Sequence, residues 1–267
     1  MKATWIWLLG CLLAFGLSVY AQQSSAPAAA GSSIDRQHDA VPLLAKAIAA
    51  AGGNVVLSSI NDITAHGTRI SGDGKQVSAV DIRIKGEGSF RIDFRNFDDN
   101  HSLIANHGTA TSVERTGTRT EPFTNTRHLH TLLLPILAGN AATMNGHTTV
   151  AREGTEEVDG IVAYKVSLTP SRGARFDSIQ AIRTLERIDL LIDPATYLVV
   201  AMRDAYYPRS QRGYSLVRQV SYADFRDING VPTPFKITER IGGQVVSIIT
   251  LDSVAFNTNI SDSEFKH

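Results

Sequence analysis

Leu185-Glu186-Arg187-Ile188-Asp189-Leu190-Leu191-Ile192, followed by Asp193-Pro194-Ala195-Thr196 and then Tyr197-Leu198-Val199-Val200-Ala201-Met202-Arg203-Asp204, is the stretch that decides the fold. Side chains alternate along a strand, so Ile188, Leu190 and Ile192 share one face while Arg187 and Asp189 take the other. Pro194 presets φ at the second turn position, and the Asp193 side chain accepts from the backbone amides that follow. The stretch therefore reads as a β-hairpin.

The same grammar continues to the C-terminus. Leu216, Arg218, Val220 and Tyr222 alternate with Val217, Gln219 and Ser221, and Asn229-Gly230 is the dipeptide that best tolerates two positive φ angles in a hairpin turn. Pro232 and Pro234 lack the amide that a fully paired central strand needs, so the next strand is expected to begin near Phe235. Gly242-Gly243 turns it, and Val245 to Val254 returns.

Upstream, Val80, Ile82 and Ile84 share a face, as do Phe90, Ile92 and Phe94, with Lys85-Gly86-Glu87-Gly88 between the two runs. Their opposite faces carry Asp81 and Arg83, then Arg91, Asp93 and Arg95. Opposite charges paired across such a face contribute about 0.2–1 kcal/mol each, and a one-residue slip would bury them, which fixes the register.

Helical signals are few. Pro42 suits a first turn, Leu43, Leu44, Ala47, Ile48 and Ala51 form one stripe, and Gly52-Gly53 ends it, predicting a helix from about Asp39. A second is predicted over Asn125 to Leu137, where Leu129, Leu132, Leu133 and Ile136 recur at helical spacing and Pro135 demands a kink or an end. A short one is expected at Ser178 to Thr184. Helices set against an antiparallel sheet make an α+β fold, and a sheet of this many twisted strands curls. Helices laid into its concave side leave either a filled core or an apolar pocket.

The N-terminus bears on compartment. Lys2, an apolar stretch from Trp5 to Val19 and Val19-Tyr20-Ala21 have the form of an export signal over residues 1–21, too short to favour spanning a bilayer. Leu8-Leu9-Gly10-Cys11 imitates a lipid-attachment signal, yet the apolar stretch continues past Cys11. Removing 21 of the 267 residues leaves 246, discards the one Cys and both Trp, and predicts a periplasmic or secreted chain without a disulfide. Residues 22–34, rich in Ala, Ser, Gln and Gly, read as a flexible tether, and 35–267 as one domain.

Composition excludes several function classes. Without Lys2, 25 Lys and Arg face 26 Asp and Glu, so no basic field draws in nucleic acid. His128 and His130, two apart on a helix, point in different directions, and no HExxH accompanies them, so no metal or cofactor is expected. Gly213-Tyr214-Ser215-Leu216-Val217 lacks the final Gly of a nucleophile elbow. Asp98-Asp99 reads as a solvated turn, and Tyr206-Tyr207 as a pair straddling a strand end.

Tyr222-Ala223-Asp224-Phe225-Arg226, then Asp227-Ile228-Asn229-Gly230-Val231 and Pro234, resembles the penultimate hairpin of bacterial outer-membrane lipoprotein-sorting proteins, the LolA-like group. Asp193-Pro194 with Thr196, the closing Val254, Asn257, Ile260 and Phe265, and Ala51-Gly52-Gly53 resemble the same group. The resemblance implies a curved, incomplete antiparallel barrel, a half-barrel with helices covering its concave face, that holds lipoprotein acyl chains in the periplasm. On it, Phe90, Ile92 and Phe94, with Val80 and Ile82, line the concave face, and Leu132, Leu133 and Ile136 belong to a lid. The group's carriers place a basic residue and Pro just before the second barrel strand; Gly86 and Glu87 stand here instead.

Three readings follow. The first is a non-enzymatic, monomeric carrier of a lipid, lipoprotein acyl chains or another hydrophobic ligand. A second is an envelope protein-interaction or sensing module on the same scaffold with a solid core, in which Phe90, Ile92 and Phe94 are plain core. The third is a secreted hydrolase.

Overall fold

The computed structural model describes residues 33–96, 100–145, 147–171, 186–208 and 214–266. The expected export signal, most of the tether, Asp98-Asp99 and the helix expected at 178–184 lie outside the described residues. Among the described residues thirteen antiparallel strands form one sheet. They are β1 (Asp62–Ser71), β2 (Val77–Lys85), β3 (Ser89–Arg95), β4 (Asn100–Asn106), β5 (Thr109–Glu114), β6 (Gly117–Thr120), β7 (Thr148–Val158), β8 (Ile161–Pro170), β9 (Ile188–Ile192), β10 (Val199–Tyr206), β11 (Leu216–Ile228), β12 (Val231–Ile241) and β13 (Gln244–Phe256).

The strand order is β6-β5-β4-β3-β2-β1-β13-β12-β11-β10-β9-β8-β7. Two meanders run outward from a seam between β1 and β13, where Ile63 faces Phe256 and Ser71 faces Ser247. The seam carries a bulge at His66/Gly67, and a Cβ at Gly67 would stand 2.2 Å from the Thr250 carbonyl oxygen, so only glycine fits there. The sheet does not close: β6 and β7 are its two edges. Because β6 and β7 are consecutive in the chain, the link between them joins opposite edges of the sheet.

The predicted hairpins form with the predicted registers. Ile192 faces Val199 across a turn in which Ala195 N–H and Thr196 Oγ1 donate to the Asp193 carboxylate. Val80, Ile82 and Ile84 face Phe94, Ile92 and Phe90. Asn229 and Gly230 both have positive φ, 54° and 83°, between Ile228 and Val231. On the outer face of β2 and β3 the directly opposed residues carry like charges, Asp81 with Asp93 and Arg83 with Arg91. Attraction is recovered diagonally and along β3: Arg83 Nη1 donates across to Asp93 at 2.6 Å, Arg95 pairs across with Asp81, and Arg91 Nε donates to Asp93 of its own strand at 2.9 Å.

Three expectations need correction. β12 begins at Val231 rather than near Phe235 and includes both prolines. Pro232 and Pro234 face Asp227 and Phe225 of β11, whereas pairing to β13 begins at Lys236, so the prolines sit where β12 has a single neighbour and their missing amides cost no ladder bond. The first helix, α1 (Ser33–Ala50), starts within the stretch read as tether, carries Pro42 inside it, and is followed by α2 (Gly53–Ser58).

The helix expected over 125–137 is broken into α3 (Phe123–Thr126), a single 3-10 turn at Leu129–Thr131 and α4 (Ile136–Asn145). Pro135 marks the start of α4, where a missing amide is harmless, rather than an end.

Behind β1 the chain after β13 folds back over the outer face of the sheet. Asp62, 4% exposed, accepts from Thr258 N–H at 2.7 Å, Thr258 Oγ1 at 2.8 Å and Asn259 N–H at 3.1 Å. This anchors a tail whose Ile260 and Phe265 bury Ile104 of β4. Replacing Asp62→Ala should lower unfolding free energy by about 2–4 kcal/mol, because it strands three donors to a charged acceptor; urea denaturation measures it, and an unchanged midpoint would contradict the anchor.

Candidate ligand-binding cleft

The helices cover the concave face unevenly. Ala40, Leu44, Ala47 and Ile48 of α1 are buried in the same cluster as Val150, Val166, Leu168 and Leu190 of β7 to β9. Helix α4 packs against α1, and a Cβ at Gly139 would meet Leu44 Cδ1 at 2.7 Å, so glycine allows the close approach. That half of the concavity is solid. Over β3, β4 and β11 to β13 the cover is instead the thin segment 125–132.

Between that segment and the sheet lies a cleft of about 330 Å³. Phe90, Ile92, Phe94 and Leu103 form one wall, Ile237, Ile241, Val246 and Ile249 the other, and Leu129 and Leu132 the cover. His101 stacks on Phe94 with ring centroids 4.6 Å apart. The size is at the low end of pockets that hold small organic ligands.

The eight residues singled out from sequence divide. Phe90, Ile92, Phe94 and Leu132 are brought together around the cleft. Val80, Ile82, Leu133 and Ile136 do not line it and belong to the buried core, of which Phe90 and Ile92 are also part.

One end of the cleft is charged, a feature the sequence reading did not single out. Strand register places Asp204 of β10 opposite Arg218 of β11. The Arg218 Nε donates to Asp204 at 2.8 Å, its Nη2 donates to the same carboxylate, and its Nη1 donates to the Asn125 carbonyl at 2.8 Å. Both side chains are almost wholly buried, at 5% and 3% exposed. Burial pulls the guanidinium toward losing its proton, but the Asp204 charge outweighs it and the group is held firmly cationic. Asn125 also closes a pair of bonds with the Tyr207 backbone, tying α3 to the end of β10.

Glu239 and Arg69 also line this end. Glu239 falls in the inward register of β12 between Ile237 and Ile241. A glutamate interrupting an apolar alternation is the signal that marks it in the sequence.

His128, 7% exposed, lies in the cover beside this network. Burial, then the charges of Arg127 and Arg218, lowers its pKa well below 6.5, so it is held neutral; burial lowers His130 as well. Among the described residues no group of three or more His, Cys, Asp or Glu is placed to hold a metal. Ser215 immediately precedes β11 on an exposed approach, with no strand-to-helix turn. Among the described residues no helix is long and apolar enough to cross a membrane.

Comparison with solved structures places this architecture. A domain from Vibrio parahaemolyticus assigned to outer membrane lipoprotein sorting superposes with TM-score 0.53 at 10% identity, over 86% of this chain and 97% of that one. A DUF1329 family protein from Desulfovibrio piger gives TM-score 0.53 at 15% identity over 87% and 98% of the two chains. A LolA superfamily protein from Nitrosomonas europaea gives 0.50 at 13% over 85% and 97%. No family model and no curated protein sequence matches the chain. The fold is LolA-like, an open antiparallel sheet with helices on its concave side.

Two outcomes test the charged end and its cover. Arg218→Leu should cost about 3–5 kcal/mol by stranding Asp204, and the double change Asp204→Leu, Arg218→Leu should recover most of it; a double variant no better than the single one would show that the pair is not the source of the loss. His128 is the pH handle. Below pH 6.5 the unfolded chain gains a proton that buried His128 refuses, so stability is full above that pH and falls beneath it by up to about 1.4 kcal/mol per pH unit. His128→Gln should flatten that loss in urea midpoints compared at pH 7.5 and 5.5.

Proposed function

We propose that this chain is a non-enzymatic periplasmic binding or carrier protein for a hydrophobic ligand, a lipid or the acyl chains of a lipoprotein. The observation that carries the proposal is the apolar cleft: the protein's own helices fill one half of the concave face and leave Phe90, Ile92, Phe94 and Ile249 around a space of about 330 Å³. The likeness to a domain assigned to lipoprotein sorting supports it, as does the form of residues 1–21. Each methylene taken from water into such a space contributes about 0.8 kcal/mol, so a short run of methylenes gives useful affinity.

The broken cover suits loading and release. A 3-10 turn and short helical pieces have few internal hydrogen bonds to lose when displaced, unlike a continuous helix. Two further clefts, of about 280 and 350 Å³, flank the same segment and share His130 as lining, so space for a longer guest lies on more than one side of the cover.

The interaction-module reading has one observation of its own. All four residues of β6 are exposed, and a sheet edge is where a partner's strand can add.

Leu132→Trp places a large ring in the cleft from its cover. It should weaken uptake of a fluorescent fatty acid at least tenfold while the melting temperature stays within a few degrees of the unaltered protein. Unaltered protein that takes up no fatty acid, or a variant that melts normally and binds as well as the parent, would refute the carrier reading.

A further inference from the structure

The apolar cleft ends in polar groups with unused bonding capacity. Arg69 reaches over the Phe94 ring at 4.9 Å, and its Nε donates to Ser247 Oγ at 3.1 Å. Among the described residues its two terminal amino groups hydrogen-bond to nothing else, and the Glu239 carboxylate accepts no hydrogen bond. Next to Glu239 in the sheet, the Tyr222 hydroxyl is buried and also without a partner. Tyr222 does not itself line the cleft, but Arg69 and Glu239 do, both half-buried, and polar groups with spare bonding capacity at the end of a ligand-sized space mark where a guest's polar atoms belong. Burial, against the pull of Arg218, raises the Glu239 pKa, as befits a carboxylate with too few donors.

We propose, building on the carrier reading, that the cleft reads the head of an amphiphile. Its acyl chain lies along Phe90, Ile92 and Ile249, and its uncharged head gives a hydrogen-bond donor to Glu239 and an acceptor to Arg69. The charge of the wall selects an uncharged head. Arg218 is paired with Asp204 and Glu121 lies 4.0 Å from Arg119, which leaves Arg69 and Glu239 to balance one another. An added anion meets Glu239 and Glu121, an added cation meets both arginines, and neither finds an unopposed partner in a setting that solvates charge poorly. Glycerol hydroxyls beside an ester, or an amide N–H beside its carbonyl, supply both functions on one short head.

Displacement of a fluorescent fatty acid by three sixteen-carbon amphiphiles tests this: 1-palmitoylglycerol, palmitate and hexadecylamine. The uncharged glyceride should bind about tenfold or more tightly than either ion, the scale of one hydrogen bond to a charged group. Glu239→Leu should erase that preference, and Glu239→Gln, which keeps the acceptor, should retain most of it; melting curves of both establish that they are folded. Equal binding of all three, tightest binding of palmitate or hexadecylamine, or a preference that survives Glu239→Leu would overturn the head-group inference and leave the carrier reading standing. Failure of all three, and of the fluorescent probe, would overturn the carrier reading itself.

Discussion

A one-sided antiparallel sheet that does not close must have its apolar face covered by something other than itself. Here the sheet's two edges, β6 and β7, are consecutive in the chain, so the segment that joins them supplies one part of the cover, and α1, ahead of β1, supplies the other. The cover is unequal: α1 and α4 pack solidly over β7 to β9, and only a thin broken segment lies over β3 and β11 to β13. The cleft is what that inequality leaves.

Two polar devices hold the rest in place. The Asp204–Arg218 pair is costly to bury, yet Arg218 also bonds the Asn125 carbonyl, so the charge fixes the near end of the cover to the sheet. On the outer face Asp62 gathers the tail after β13, and Ile260 and Phe265 then shield Ile104. The tail thus covers part of the outer face of β3 and β4, behind the face from which Phe90 and Ile92 line the cleft.

Much of this was legible in the chain because hairpins are local. Period-2 alternation with Asp193-Pro194, Asn229-Gly230 and Gly242-Gly243 fixed where strands pair, and those pairings formed in the expected register. What failed was non-local. Whether Pro232 and Pro234 are tolerated depends on which neighbour each strand segment has, and no local pattern shows that β13 pairs only from Lys236. Leu129, Leu132, Leu133 and Ile136 are at helical spacing although they belong to separate pieces, Leu129 and Leu132 facing the cleft and Leu133 and Ile136 the closed core. Helix α4 was missed since Ala138, Gly139, Asn140, Ala141 and Ala142 show no stripe; it packs by smallness. Only part of the cleft was visible. The difference between Phe94 at the cleft and Val80 in the closed core depends on where the helices lie, not on strand pattern. Glu239, by contrast, broke a visible alternation between Ile237 and Ile241 and was readable in principle.

The central claim is that the inner face is finished by a hydrophobic guest. Native mass spectrometry of the protein purified gently from its own cell envelope, followed by organic extraction, addresses it most directly. A bound mass that extraction releases as an acyl-containing molecule is the predicted result. A homogeneous ligand-free mass, with no lipid in the extract, would contradict the account.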